Sequence, residues 1–299
     1  MTRLGTLILC LWMVACAAPH VADPSDPLLF DMGAMARADR VVVGIPGVMT
    51  SINVLQPIGA FETPDRAIAY FRLPGFDGRP SEESIVIDRA AQRIVDLVRT
   101  YDLDRIDIIG HSTGAVIALE AAKDLRTELP HVDVHVFGIA TALPAPQPLL
   151  AGVRGAMGTV AAAARTGSLN PRTVWLEYYR RLAFGADVET TPASANAADA
   201  LVEANSDRIT LPEDGLYRRH TRDLRRWKNP NPETLKGTEI TFFHGAADPV
   251  FPPRPTRRFV ETLPDAELNF IAGNGHLLLL TYPQVWDRIG ASLLSSSSD

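Results

Sequence analysis

Residues 106–119 read IDIIGHSTGAVIAL, so a Gly-x-Ser-x-Gly cluster at Gly110, Ser112 and Gly114 interrupts what would otherwise be a strand running into a helix. At such a turn the serine occupies a sharp, strained corner, and flanking glycines let neighbouring backbone pass without a Cβ collision. By chance the five-residue pattern arises in about one chain in ten of this length, so context carries the weight. The apolar run Ile106–Ile109 precedes it and a helical pattern from Ala115 follows. A serine hydroxyl becomes a useful nucleophile only when a base takes its proton and an acid orients that base. After a strand–serine–helix turn the partners should follow in the order Asp, then His, each just past a strand. Asp248 in FFHGAADPVFP and His276 in IAGNGHLLLL meet that order, 28 residues apart, which leaves room for one helix and one strand.

Each of these residues also has an inert reading. Ser112 could close a tight turn, Asp248-Pro249 could start one, and His276 could be a loop histidine bonded to backbone. Together and in order they point to nucleophile, acid and base. Among the seven histidines, His20 lies in the leading segment, His131 and His135 flank a strand, and His220 falls in a helical insertion. His244 ends a strand and is expected to support the site, while His111 should point away from it. Asp214 and Asp223, also in the insertion, are weaker alternatives for the acid. Charge developing on a carbonyl oxygen during attack needs fixed donors, each contributing on the order of 3–4 kcal/mol. The backbone N–H of Thr113, next after the nucleophile, should be one. The other is expected from the loop GIPGVMTS, with Val48 as donor; the inert alternative is a plain Pro-Gly turn.

The elements that must hold these residues are legible as periodicities. Val41–Ile45, VVVGI, is β-branched and does not alternate, as expected of a strand buried on both faces. AIAYF at 67–71 is a second short strand, followed by the loop RLPGFDGRPS. Ile87, Ala91, Ile94, Val98 and Tyr101 share one helical face, and Ala115, Ala118, Leu119, Ala122 and Leu125 share another. VDVHVFGIA, EITFFHG and AELNFI supply further strands, with helices expected at 256–263 and from Pro283 onward. Strand–helix alternation of this kind implies a mostly parallel, doubly wound α/β sheet. Between about 143 and 237 the strands stop and helices take over: one from Asn170-Pro171 to Gly185, one in ASANAADALVEAN, and a third through Tyr217, Leu224 and Trp227. The expected division is 1–20 targeting segment, 21–40 lead, 41–142 and 238–294 core, 143–237 helical insertion, and 295–299 frayed tail.

The chain's 299 residues carry a net charge of −6 and 46% hydrophobic residues, an ordinary globular balance without the basic field that binds nucleic acid. Its start, MTRLGTLILCLWMVACAAPH, sets Arg3 before an apolar run from Leu4 to Ala15 that is too short to span a bilayer and has the layout of a secretory signal. Met13-Val14-Ala15-Cys16 resembles a bacterial lipoprotein box, apart from Met13 where Leu is usual, and makes Cys16 the candidate for lipidation; Ala15-Cys16-Ala17 also fits a small-x-small cleavage site, and an uncleaved anchor is the third option. An exported protein of the bacterial envelope, lipid-anchored or free, is therefore expected. Both cysteines, Cys10 and Cys16, lie in this segment, so the remaining domain relies on its core rather than on disulfides.

Gly110–Gly114, HGAADPVFP and GNGHLLLLTYP resemble the α/β-hydrolase family, in particular its capped esterase, lipase and serine-peptidase-like members. The resemblance covers about 41–294 apart from the insertion. It implies an α/β-hydrolase fold in which the insertion is a cap over the pocket. It also implies ester cleavage through an acyl-enzyme, with thioester, amide or acyl-transfer chemistry open within the fold and a non-catalytic envelope binding protein as the alternative class. The family's loop after its first core strand often begins His-Gly; here Pro46-Gly47 stands there, which keeps Val48 as donor and makes Met49 its rival. Little chain precedes Val41 for an opening antiparallel hairpin, so a trimmed sheet is expected. No metal set or dinucleotide loop is visible, and no cofactor is implied; the expected partner is a small-molecule or lipid ester, with membrane association through Cys16. GVRGAMGTVAAAARTG in the cap could leave space for an acyl chain or pack as a tight helix. The cluster RRHTRDLRRWK could meet anionic headgroups or an acidic substrate, or form a solvated face. Oligomeric state is not readable from the sequence.

Overall fold

The computed structural model describes residues 25–185, 192–205, 211, 213 and 215–295. Cys16 and the targeting segment, Asp214, and residues 296–299 of the tail lie outside the described residues.

Seven strands form one sheet: β1 (Leu28–Phe30), β2 (Arg40–Ile45), β3 (Arg66–Phe71), β4 (Arg105–His111), β5 (Asp133–Ile139), β6 (Glu239–Gly245) and β7 (Ala266–Ile271), in the order β1-β3-β2-β4-β5-β6-β7. All neighbours run parallel except β1, which pairs antiparallel with β3, Leu28 opposite Phe71 and Phe30 opposite Ala69. The helices are α1 (Met32–Met35), α2 (Ile87–Tyr101), α3 (Thr113–Glu128), α4 (Gln147–Thr166), α5 (Pro171–Phe184), α6 (Pro192–Asn205), α7 (Leu216–Thr221), α8 (Pro253–Val260), α9 (Leu278–Thr281) and α10 (Gln284–Ser295). Val41, Val43 and Ile45 pack on one side of the sheet with α2 and α3, whereas Val42 packs on the other with the 3₁₀ turn at 52–61 and α10. Both faces of β2 are thus buried, which is why its sequence does not alternate.

The sheet carries one antiparallel edge strand in place of a hairpin. The three-residue β1 lies inside the segment 21–40 read from sequence as lead, because Leu28-Leu29-Phe30 is too short for its period to show. Within the insertion between β5 and β6, Asn170 caps α5 by accepting from the Arg172 and Thr173 N–H groups, and Gly185 closes it at φ 89°. The expected third helix is shorter than its apolar pattern suggested. α7 ends at Thr221, and successive turns then carry Asp223 to the N-terminus of α2 and Trp227 onto α3. The helix after β6 starts and ends three residues early, at Pro253 and Val260, since proline sits readily in a helix's first turn. Among the described residues no helix is long and apolar enough to cross a membrane.

Candidate active site

Ser112 follows the last residue of β4 at φ 52° and ψ −115°, a left-handed corner that side chains rarely occupy. Its own backbone holds the corner: the N–H donates to the Ile139 carbonyl at 2.9 Å, and its carbonyl accepts from Ala115 and Ala142 N–H, each at 3.1 Å. A Cβ on Gly110 would collide with the Ala115 backbone, and one on Gly114 with the Ile45 carbonyl. Glycine at both places is therefore a packing requirement of the turn between β4, α3 and β2.

Asp248 follows β6. Its Oδ1 accepts from the N–H groups of Val250 (2.7 Å) and Phe251 (3.0 Å), which aims Oδ2 at His276 Nδ1, 2.8 Å away. His276, beyond β7, presents Nε2 to Ser112 Oγ at 3.1 Å. With Nδ1–H given to the carboxylate, Nε2 holds a lone pair facing the hydroxyl, the tautomer that can accept its proton. Burial by itself pushes the Asp248 carboxyl up, but the facing imidazoles of His276 and His244 and the hydrogen bonds from His276 and the Phe251 N–H outweigh it and hold it below the usual carboxylate range. His244 Nε2 lies 3.4 Å from Asp248 Oδ2 and is spent on the Phe251 carbonyl at 2.8 Å, so it buttresses the acid loop. Asp223 is excluded as the acid by position: its Oδ2 accepts the Ile87 N–H at the start of α2.

His111 does not enter the site as a base. Its Nε2 donates to the His276 carbonyl at 3.1 Å, and its ring stacks obliquely on that of His276, centroids 5.3 Å apart. Burial, with the neighbouring imidazole, pushes its pKa down to about 3, so it stays a neutral donor.

Thr113 opens α3, where an N–H has no partner within the helix, and Val48 lines the same cavity above Ser112. The neighbouring Met49, at φ 57°, gives its N–H to His220 Nδ1 at 3.1 Å. That commits the Met49 donor and, of the two candidates read from the sequence, leaves Val48. His220 Nε2 in turn donates to the Pro74 carbonyl at 2.8 Å, and burial pushes the imidazole's pKa down, which preserves the bare Nδ1. Beyond it, Asp77 takes the Ser51 hydroxyl (2.5 Å) and the Ile52 N–H (2.9 Å) and fixes the loop's far end. The insertion also brackets His276: the Gly275 N–H donates to the Ala183 carbonyl at 2.8 Å and Leu277 N–H to that of Leu182 at 3.1 Å, both at the end of α5. These supports carry no signal in the sequence, because each is a backbone group or a residue far along the chain.

A cavity of about 410 Å³ lies over Ser112. Ala151, Gly152, Gly155 and Ala156 of α4 form one wall, and Trp175, Tyr178 and Tyr179 of α5 form another. The small-residue run therefore faces open space. Among the described residues no Asp, Glu, Lys or Arg lines this cavity. Among the described residues no cluster of His, Cys, Asp or Glu is arranged to hold a metal ion.

A mostly parallel sheet with a serine on a strained strand–helix corner, and an acid and a histidine on later loops of the same rim, defines the α/β-hydrolase class. The chain belongs to the alpha/beta hydrolase family, whose profile matches residues 55–288. Its fold is similar to that of an alpha/beta hydrolase enzyme from a Medee basin deep-sea metagenome library (17% identity, 90% of this chain and 94% of that one, TM-score 0.65). It is also similar to a thermophilic esterase from Thermogutta terrifontis (15%, 90% and 93%, 0.63) and to a structure from Nitrososphaera gargenis described in connection with carboxylesterases (17%, 91% and 96%, 0.63). At these identities the likeness is one of fold. No curated protein matches the sequence.

Proposed function

We propose that the protein is a serine hydrolase of neutral carboxylic esters, working through an acyl-enzyme. The observation that carries this reading is the unbroken relay Ser112 Oγ–His276 Nε2 (3.1 Å) and His276 Nδ1–Asp248 Oδ2 (2.8 Å) beneath a cavity that, among the described residues, no charged side chain lines. In this mechanism Oγ attacks the ester carbonyl while His276 takes its proton, and Asp248 holds the imidazole and stabilises it once charged. The N–H groups of Val48 and Thr113 hold the oxygen as it becomes negative. His276 then returns the proton to the leaving alcohol, and a water activated by the same imidazole releases the acid and frees Ser112. An uncharged, aromatic-walled cavity favours an ester whose acyl or alcohol part is apolar, since a charge there would lose its hydration without a partner. The esterases among proteins of similar fold support the same reaction.

The N-terminal segment supports export to a bacterial envelope, with Cys16 as the lipidation site of a membrane-anchored form. A fluorophosphonate probe should label wild-type protein at Ser112 and leave Ser112→Ala unlabelled, and p-nitrophenyl esters of graded chain length should be turned over with a clear optimum. Folded wild-type protein that reacts with neither would refute the reading.

A further inference from the structure

The two sides of α4 differ. Ala151, Gly152, Gly155, Ala156 and Thr159 line the cavity over Ser112, while Leu149, Leu150, Val153, Met157 and Val160 recur at helical spacing on the opposite side. Leu149 is 58% exposed, Val153 53%, Met157 67% and Val160 69%. A contiguous stripe of large apolar side chains standing in water marks a surface that something covers. Two further observations say what.

The first is charge. Beside α4 run the exposed Arg218, Arg222, Arg225, Arg226 and Lys228, in a chain whose net charge is −6. This stretch abuts the helix: the Tyr217 hydroxyl lies against Gly152, and the Trp227 carbonyl accepts the Ala145 N–H just before α4. The cationic stretch thus adjoins the cavity side and the N-terminal end of the helix whose other side carries the apolar stripe, and cations beside an exposed apolar helix suit the surface of an anionic bilayer. The second is where the chain enters the fold. Because β1 is antiparallel, Pro27 sits beside Arg72, whose N–H it accepts, at the rim where β2 and β4 end and where Pro74 meets His220. The N-terminal segment with its apolar run Leu4–Ala15 therefore joins the protein on the rim that carries the cap. Ser25 lies nine positions after Cys16, a reach of about 30 Å when extended.

We propose that the outward face of α4 rests in the surface of an anionic lipid bilayer, placing the cavity on the helix's other side next to the lipids that supply its ester. The choice of ester rests on the hydrolase reading above; the docking surface does not. The test is an oxidation footprint on the full chain, with equimolar phosphatidylglycerol–phosphatidylcholine vesicles and without them. Met157 should oxidise about tenfold more slowly on vesicles, as burial to a depth of about 5–10 Å requires. Met32, 50% exposed on the stretch between β1 and β2, serves as the internal control and should not change. Leu149→Asp/Val153→Asp/Val160→Asp, all at exposed positions, should abolish the protection of Met157 while leaving hydrolysis of a water-soluble ester within about twofold, as exposed surface changes do. Ser112→Ala should keep the protection, so loss of hydrolysis and loss of docking are read separately. Equal oxidation of Met157 with and without vesicles overturns the proposal. So does protection already present in solution, whether it accompanies sedimentation as a dimer, in which case a second copy covers the face, or as a monomer, in which case the chain's own N-terminal segment does.

Discussion

If Val48 holds the developing oxyanion, His220 should matter to the chemical step although it touches no substrate. The perturbation is His220→Leu, which removes the acceptor of the Met49 N–H and the donor to the Pro74 carbonyl. Two groups then lose their partner at the contact between cap and core, at a cost of roughly 1–3 kcal/mol in stability. The larger effect falls on the turn itself. Met49 occupies a left-handed conformation, and its bond to His220 sets the direction of the peptide next to Val48. Deleting an oxyanion donor costs about 10²–10³ in kcat; displacing one should cost roughly 10–100-fold. His220→Asn, whose amide oxygen can stand where Nδ1 stood, should recover most of that. The assay is kcat and KM on a soluble p-nitrophenyl ester, with the rate of fluorophosphonate labelling as a second readout. Trp227→Phe is the control: it cuts the 2.7 Å bond from the indole to Glu120, loosening the cap without touching the loop. It should lower stability and leave kcat near wild type. Equal kcat in all four proteins, or a fall in His220→Leu that Asn does not relieve and Trp227→Phe reproduces, would refute the positioning role.

Further expectations follow from the same geometry. Ser112→Ala should lose roughly 10⁴-fold or more in kcat with little change in denaturation midpoint, and Asp248→Asn should lose about 10⁴-fold because an amide offers N–H to Nδ1 and inverts the tautomer; rates within tenfold of wild type would contradict the relay. Ala156→Leu, which fills the cavity wall, should move the chain-length optimum of a p-nitrophenyl ester series to shorter acyl groups, and an unshifted optimum would place the acyl group elsewhere. Gly114→Ala should fail to give folded protein, as its Cβ meets the Ile45 carbonyl; a soluble, labelled variant would show that the corner can relax. Stability should fall as the medium is acidified. Burial holds His111 to a pKa of about 3 and, together with Arg105, His135 to about 4, whereas both titrate near 6.5 once unfolded. The unfolded chain therefore binds more protons below pH 6.5, and unfolding is favoured there. From pH 7 to 5.5 these two groups should remove roughly 2.5 kcal/mol, measurable by urea denaturation, and a flat profile would contradict their burial as neutral rings.

The central strands and the corner at Ser112 were legible because parallel strands buried on both faces write apolar runs, and because the corner admits only glycine at its flanks; the half-buried edge strand β7 alternates instead, Leu268 and Phe270 against Glu267 and Asn269. Asp248 and His276 could be read since each lies a few residues past a strand. β1 escaped notice because three residues do not make a period, and its pairing with β3 is set 39 to 43 positions away. His220 looked inert for a different reason. Its importance lies in facing a backbone N–H 171 positions distant, and a backbone amide carries no residue type to be read. The same holds for the Leu182 and Ala183 carbonyls, which steady His276 through Leu277 and Gly275.

Those contacts change what the cap is. Helices α5 and α7 grip the two loops on which the reaction depends, so lifting either one would disturb His276 or the turn at Val48. α4 is attached differently: its Arg154 reaches the Val250 carbonyl at 3.0 Å and its Arg165 pairs with Glu177 of α5, both through long side chains. Its glycines also pack closely on α5: a Cβ on Gly158 would lie 2.6 Å from the Tyr178 ring, and one on Gly155 3.2 Å from its hydroxyl. Through Val250, whose own N–H holds Asp248, α4 also touches the loop that carries the acid. The cap thus belongs to the catalytic frame at the acid loop, the His276 loop and the turn at Val48 alike, and the apolar stripe lies on the outward side of a helix tied into that frame.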